Sequence, residues 1–353
     1  MIKPFKPYYP EQPWLPFSEV LCDWDEDFHQ LMLCDHIRMQ AYETAIKASV
    51  KPGDTVVDLG TGTGILAQWA LEAGAQRVYG IDMDAHILAL AKTRIQQRGF
   101  ADRFVAINDL SYNVKLPQQA DVLISEIIGN IGDNEDFQPI LQDGLARFLK
   151  PRGCAIPSAV QTFLVPVAAL KAHQSLHRGD VFTLNDRYQL HDLMQQKNIQ
   201  SPFNLYYDTI IPTARHLSIP RCVQDFCGRW DQPPQYQKTL RFTVQQPWVL
   251  TGFKGYFRAT LSADVVLDIS SGDIENRLSS DSWKHSFFPI EQPVNVIKGD
   301  EVILTFERRY PLAADTRFRQ QYFWHGSVVR NGHTLARFAQ GMGEAVDFPP
   351  AQD

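Results

Sequence analysis

Glu126 and Glu135 are the residues of this chain whose type and spacing best suit chemistry. They lie nine positions apart, with Gly129 and Gly132 between them. Glu126 follows the apolar run Ala120-Asp121-Val122-Leu123-Ile124, which reads as a strand. Open α/β sheets bind ligands just outside the carboxyl ends of their strands, so an acid there faces the ligand. A loop that folds back would bring Glu135 opposite it. Two carboxylates on one small pocket repel each other and require a cation or a proton between them. Guanidinium satisfies that requirement, because it is planar, permanently charged and offers five donors in a fork. Pairing would orient one terminal nitrogen toward an electrophile and draw positive charge away from it. That is catalysis by orientation and electrostatics. The plain alternative is two solvated loop acids.

Asp58-Leu59-Gly60-Thr61-Gly62-Thr63-Gly64 would seat the electrophile. It follows the strand signal Thr55-Val56-Val57 and opens a helix-like run from Ile65 to Ala70. A glycine turn lets a ligand approach the backbone, with a helix N-terminus beside it. The dinucleotide fingerprint is G-x-G-x-x-G, whereas here glycines fall at alternate positions, which disfavours a nicotinamide enzyme. The next strand signal, Arg77 to Ile81, ends in Asp82, placed to accept both ribose hydroxyls of a nucleoside. An Asp-x-Gly-x-Gly-x-Gly turn followed by an acid at the next strand end resembles class I methyltransferases. That likeness implies S-adenosylmethionine as cofactor.

The elements that must position these residues alternate strand and helix from 55 to about 150, which predicts βαβ units and a parallel sheet. A helix is expected from about Phe28 to Ala48 on the spacing of Leu31, Met32, Ile37, Tyr42, Ala45 and Ile46. Lys150-Pro151-Arg152-Gly153 reads as a turn, and Pro157 as a boundary. From 240 onward the chain reads as antiparallel β. Gly255 to Ile269 reads as one strand, and Lys298-Gly299-Asp300 and Asn331-Gly332 as hairpin turns. The expected organisation is an extended arm over 1–27, a Rossmann-like domain over 28–157, and a β-barrel-like domain over 158–353.

Length and composition bound the class. The 353 residues suffice for two domains, and 44% hydrophobic with 21% charged content is ordinary for a globular protein. No apolar run approaches bilayer length, and the N-terminus has no signal-peptide core. Five scattered cysteines without a Cys-x-x-Cys pair suggest neither disulfides nor a zinc site, and no metal is expected. A cytoplasmic protein is the expectation. Net charge is −6 with no basic block, which argues against autonomous nucleic-acid binding.

The loop Ser-Glu-x-x-Gly, with its second Glu nine residues on, is similar to the double-glutamate loop of protein arginine methyltransferases. Met32-Leu33-Cys34-Asp35-His36-Ile37-Arg38 with Tyr42 resembles that family's helix before the first strand. Asp281-Ser282-Trp283-Lys284 stands where the family carries a Thr-His-Trp loop, followed by Phe287-Phe288 and Lys298 to Glu301. The likeness spans about 28–306. It implies that Arg38 pairs with the cofactor's carboxylate and that His29 flanks the cofactor. It further implies that Asp58, Gly60 and Gly62 line the methionine portion and that Asp82 holds the ribose. Asp109 is the choice for adenine from its place after a strand, although the family register puts that acid nearer Tyr112. Glu126 and Glu135 would grip the acceptor, with Asp35 catalytic and Ser282 and Trp283 at the substrate. The segment near 170–220 would be a dimerisation arm in a homodimer.

Ser282 replaces the family's histidine, so Asp35 would bond Ser282 or the substrate instead. The acidic stretch Asp23 to Asp27 replaces the expected Tyr-Phe-x-x-Tyr, and the loop Ile127 to Asn134 carries no aromatic residue. The acceptor therefore stands open between a peptidyl arginine and a small guanidine, amine or amide metabolite. A non-catalytic cofactor-binding partner subunit is the rival from outside enzymes.

Overall fold

The computed structural model describes residues 9–16, 32–183, 189–226, 233, 235–273, 280, 282–311, 318 and 320–343. Helix α1 (His36–Ser49) precedes the alternating run β1 (Thr55–Leu59), α2 (Ile65–Glu72), β2 (Arg77–Asp82), α3 (Ala85–Gln97), β3 (Phe104–Asn108), β4 (Ala120–Ser125), α4 (Phe137–Phe148) and β5 (Leu149–Ile156). The five strands form one parallel sheet in the order β3-β2-β1-β4-β5. The order reverses between β1 and β4, and ligands bind at such switch points. Both turns singled out above, after Leu59 and after Ser125, leave the sheet there. Strand β1 is buried at every position, as a central parallel strand covered on both faces must be.

Met32 to Cys34 are helical, as the apolar spacing predicts, and the helix breaks at Asp35 before α1. Asp35 is its N-cap, accepting the Arg38 N–H at 3.2 Å, and part of the expected helix lies outside the described residues. Lys150 to Gly153 belong to β5, not to a turn. The pairing skips there, from Ala120 opposite Leu149 to Val122 opposite Cys154, and so absorbs the extra residues as a bulge.

Two antiparallel sheets make the second domain. One has β6 (Ala159–Val167), β7 (Tyr207–Thr209), β8 (Arg221–Asp225), β10 (Trp248–Thr260), β11 (Val266–Asp268) and β12 (His285–Val296), in the path β7-β12-β10-β6-β8 with β11 on β10. The other runs β15 (His333–Gly341), β14 (Gln321–Arg330), β13 (Glu301–Arg309), β9 (Tyr236–Thr243). They enclose a core rich in aromatic rings, including Phe253, Phe288, Phe306, Tyr322 and Trp324, and the arrangement is barrel-like. The expected single strand from 255 to 269 is two, β10 and β11, because Leu261 to Val265 turns the chain back. Asn331-Gly332 is a true hairpin with both residues at positive φ, 51° and 82°. Lys298-Gly299-Asp300 is not: it hands the chain from β12 in one sheet to β13 in the other.

Residues 170–183 and 189–211 add to this core. Helices α5 (Leu170–Arg178) and α6 (Leu190–Gln196) bury Ala172, Leu176, Leu190 and Leu193 in it, as Phe203, Tyr206 and Ile211 do. The segment expected as an arm is thus packed against the barrel over these positions. Residues 9–16 extend the same domain. Trp14 exchanges backbone hydrogen bonds with Asp208 at 2.8 and 3.0 Å, and Glu11 pairs with Arg215 at 2.6 Å.

The two cores meet beside the switch point. Phe257, Ala259, Leu267 and Trp283 of the second domain are buried in the first domain's cluster.

Candidate active site

The glycine turn is built by positive φ angles. Gly60, Gly62 and Gly64 have φ of 70°, 53° and 78°, a region that side chains rarely adopt. At Gly64 a Cβ would also stand 2.8 Å from the Ala91 Cβ of α3, so glycine alone lets α2 start against α3. Asp58 points into the turn, fully buried. Thr61 Oγ1 donates to its Oδ2 at 2.7 Å, while Oδ1 has no hydrogen-bond partner. Burial pushes the Asp58 carboxyl up to about 7; the Thr61 bond opposes this and the charge of Asp82 adds to it. Asp82 accepts the N–H of Gly62 at 2.8 Å and of Asp84 at 2.9 Å, which ties the strand-end acid to the turn. Asp109 caps its own loop, accepting from the Leu110 N–H at 2.8 Å and from Asn113 Nδ2 at 2.9 Å. Its own N–H bonds the Asp82 carbonyl at 3.2 Å. Asp82 and Asp109 thus sit together at the sheet edge, and Tyr112 lies exposed nearby in sequence.

Arg38 is where geometry departs from expectation. Its guanidinium forms an ion pair with Glu126 and lies 4.6 Å from the centroid of the Trp283 ring. Burial lowers its pKa to about 10, against the raising influence of Tyr42, Asp35 and Glu135. Glu126 and Glu135 therefore act electrostatically on one buried guanidinium that rests on an aromatic face. Arg38 Nε has no hydrogen-bond partner.

Asp35 anchors the opposite wall. It is fully buried and accepts from Ser280 Oγ, from the Ser282 N–H at 3.0 Å and from Ser282 Oγ at 2.7 Å. The hydroxyl of Ser282 thus occupies Asp35, so Ser282 holds the wall. Trp283 donates Nε1 to the Ile128 carbonyl at 2.7 Å. His29 and Asp281 lie outside the described residues, as does the acidic stretch from Asp23 to Asp27.

The second domain fastens the loop between the glutamates at several points. Beyond Trp283, the Lys284 N–H bonds Asn130 Oδ1 at 3.2 Å and Thr162 Oγ1 bonds the Ile131 carbonyl at 2.8 Å. Tyr322 and Tyr236 donate to Asp133 at 2.7 and 3.1 Å, and Arg308 donates to the Asp133 carbonyl at 2.9 Å. Tyr310 donates to Asp136 at 2.9 Å. Sequence reasoning missed Asp133, Arg308 and Tyr322. The signal was present in β13, where Val302, Leu304, Phe306 and Arg308 share the inward face and an arginine takes an apolar slot.

A parallel sheet with a glycine turn and an acid-bearing loop at its switch point is the architecture of the Rossmann-like methyltransferase class. A family model described as ribosomal protein L11 methyltransferase matches residues 36–161, and one described as the PRMT5 oligomerisation domain matches 159–319. The chain is similar to protein arginine N-methyltransferase PRMT10 of Arabidopsis thaliana, 33% identical over 332 residues and covering 84% of each protein. It is 28% identical to protein arginine N-methyltransferase 5 of Oryza sativa subsp. indica over 298 residues, 75% of this chain. It spans 43% of that rice protein's length. The solved Trypanosoma brucei PRMT1 enzyme-prozyme heterotetrameric complex with AdoHcy superposes with a TM-score of 0.74 at 16% identity. That likeness covers 89% of this chain and 97% of that one, and it establishes the fold. The chain belongs to the protein arginine N-methyltransferase family.

The residues fit the S-adenosylmethionine that this class uses. At the site, two buried side-chain atoms of opposite character lack hydrogen-bond partners: the Asp58 Oδ1 acceptor and the Arg38 Nε–H donor. An amino-acid end with an ammonium and a carboxylate supplies both complements.

Proposed function

We propose that this chain transfers a methyl group from S-adenosylmethionine to a guanidino nitrogen of arginine in a protein or peptide. One observation carries the reading: two loop carboxylates, Glu126 and Glu135, bear on a single buried guanidinium beside the glycine turn. The carboxylate and the Trp283 face that lie against the Arg38 guanidinium offer the same charge and aromatic contact to an acceptor guanidinium.

The cofactor, when bound, supplies an electrophilic methyl on sulfur and leaves as S-adenosylhomocysteine. Asp58 and Arg38 would hold its amino-acid end, and Asp82 its ribose. Glu126 and Glu135 would grip the acceptor along two edges and localise its positive charge away from the attacking nitrogen. Asp35, held by Ser280 and Ser282, fixes the start of α1 and with it Arg38. Ser280 and Ser282 occupy Asp35, so the proton shed by the methylated nitrogen passes to a glutamate carboxylate and on to water. Trp283 covers the site and excludes water from one face.

The homodimer belongs to the same proposal, supported by the match of 159–319 to an oligomerisation domain. So does a cytoplasmic setting, supported by the free thiols of Cys34, Cys154 and Cys222. The test is methyl transfer from labelled S-adenosylmethionine to arginine-rich peptides, small guanidines and a protein extract, with the product located by mass spectrometry. Label on a peptidyl guanidino nitrogen is expected. Label confined to a small guanidine would move the reading to a metabolite enzyme. Label on another atom, or none with the cofactor bound, would refute it.

A further inference from the structure

The hub of the loop is Asp133, two residues before Glu135. Asp133 and Arg308 are each 1% exposed. Tyr322 donates to Asp133 Oδ1 at 2.7 Å and Tyr236 to Oδ2 at 3.1 Å. Arg308 Nε lies 3.4 Å from Oδ2, and Arg308 Nη2 donates to the Asp133 carbonyl and to Gln320 Oε1, both at 2.9 Å. Side chain and backbone of one residue are thus gripped by β9, β13 and β14, three strands of the second domain's four-stranded sheet. The neighbouring residues are latched too. The Ile131 N–H bonds Asn134 Oδ1 at 3.2 Å, and a Cβ at Gly129 would stand 2.0 Å from that same oxygen. Beyond Glu135, Asp136 has φ of 56° and is held by Tyr310.

A buried ion pair is a poor device for stability, since apolar side chains of similar volume commonly serve as well. Its gain is a fixed position. We propose that Asp133, with Arg308 and Tyr322, is a positioning device that registers the Glu135 carboxylate against the acceptor, so that the barrel sets the geometry of the methyl-transfer site. The proposal rests on the reading that Glu135 grips the acceptor.

The test is Tyr322→Phe, which removes one hydroxyl and keeps the ring, alone and together with Glu135→Gln. Tyr236→Phe serves as the second variant should the first fail to fold. Methyl transfer to an arginine-rich peptide is measured, together with the peptide's dissociation constant in the presence of S-adenosylhomocysteine. Tyr322→Phe is expected to lower kcat/KM for the peptide about ten-fold, the scale of a small misplacement at a reacting centre. S-adenosylmethionine affinity is expected to hold within about two-fold, because the hydroxyl touches only the loop hub. With Glu135→Gln present, the same substitution should leave peptide affinity unchanged, because no carboxylate remains to be placed. A merely structural hydroxyl would cost the same in both backgrounds. An equal loss with and without Glu135, an unchanged kcat/KM, or an equal fall in cofactor affinity would each overturn the positioning role. Wild-type transfer by Glu135→Gln alone would refute the acceptor grip itself, and the positioning role with it.

Discussion

Asp58→Asn separates what the glycine turn costs the fold from what it gives the ligand. Burial raises the Asp58 carboxyl from 3.8 to about 7. The folded chain therefore holds its proton where the unfolded chain has released it. The stability from this group is complete below about pH 4 and is lost as pH rises through about 7. At about 1.4 kcal/mol for each pH unit, the interval is worth about 4 kcal/mol. Asparagine keeps the shape and an acceptor for Thr61, and it has no charge to bury. Urea unfolding without cofactor, from pH 4.5 to 8.5, should show the variant gaining on the wild type by about 3 kcal/mol, the share of the interval above pH 4.5. Taking the difference between the two proteins cancels the histidines and other acids that titrate in both. The same variant should bind S-adenosylmethionine more weakly, because an amide N–H replaces the unpartnered oxygen. Near pH 7 the wild type should release about half a proton on binding, read by calorimetry in two buffers. Parallel stability curves for wild type and variant would refute the reasoning, since Asp58 would then ionise alike in both states.

Three further outcomes are expected. Glu126→Gln should lower methyl transfer by about a hundred-fold or more while cofactor affinity changes little, and near wild-type turnover would contradict the two-carboxylate grip. Asp82→Ala removes the acceptor of the Gly62 N–H and should weaken S-adenosylmethionine binding by about 1–3 kcal/mol, measured by titration calorimetry. Gly64→Ala forces a side chain into φ 78° and against Ala91, and should destabilise the fold by at least about 1–2 kcal/mol by thermal or urea unfolding.

The parallel sheet was legible because its signals are local. Strands β1 to β4 are each a short apolar run beside a glycine or an acid, and they fall where those runs do. The break in the helix at Asp35 was not legible, because a distant loop holds that residue: Ser280 and Ser282 bond Asp35 as the cap. The barrel strands were legible as β but not in their pairing. Lys298-Gly299-Asp300 has hairpin chemistry, yet nothing local tells whether the next strand joins the same sheet. Residues flanking the cofactor turn were found from spacing. The partner of Arg38 was not, because which carboxylate reaches it depends on the fold of a loop some ninety residues later in the chain. Arg308 was readable in principle as a charge on the inward parity of β13.

The pairing of residues 9–16 with residues 208–210 has a consequence in time. The second domain begins and ends outside the first, since its edge beside β7 is supplied by chain that precedes α1. On a ribosome, Trp14 emerges roughly 190 residues before Asp208, which at 5–20 residues per second is about 10 to 40 seconds. For that interval its ring has no slot, and the parallel sheet can form completely before the slot exists. Assembly then requires an early segment to return to a later one. A chaperone or a second nascent chain that meets this protein during synthesis would meet Trp14 and Leu15, which are 3% and 2% exposed in the finished fold.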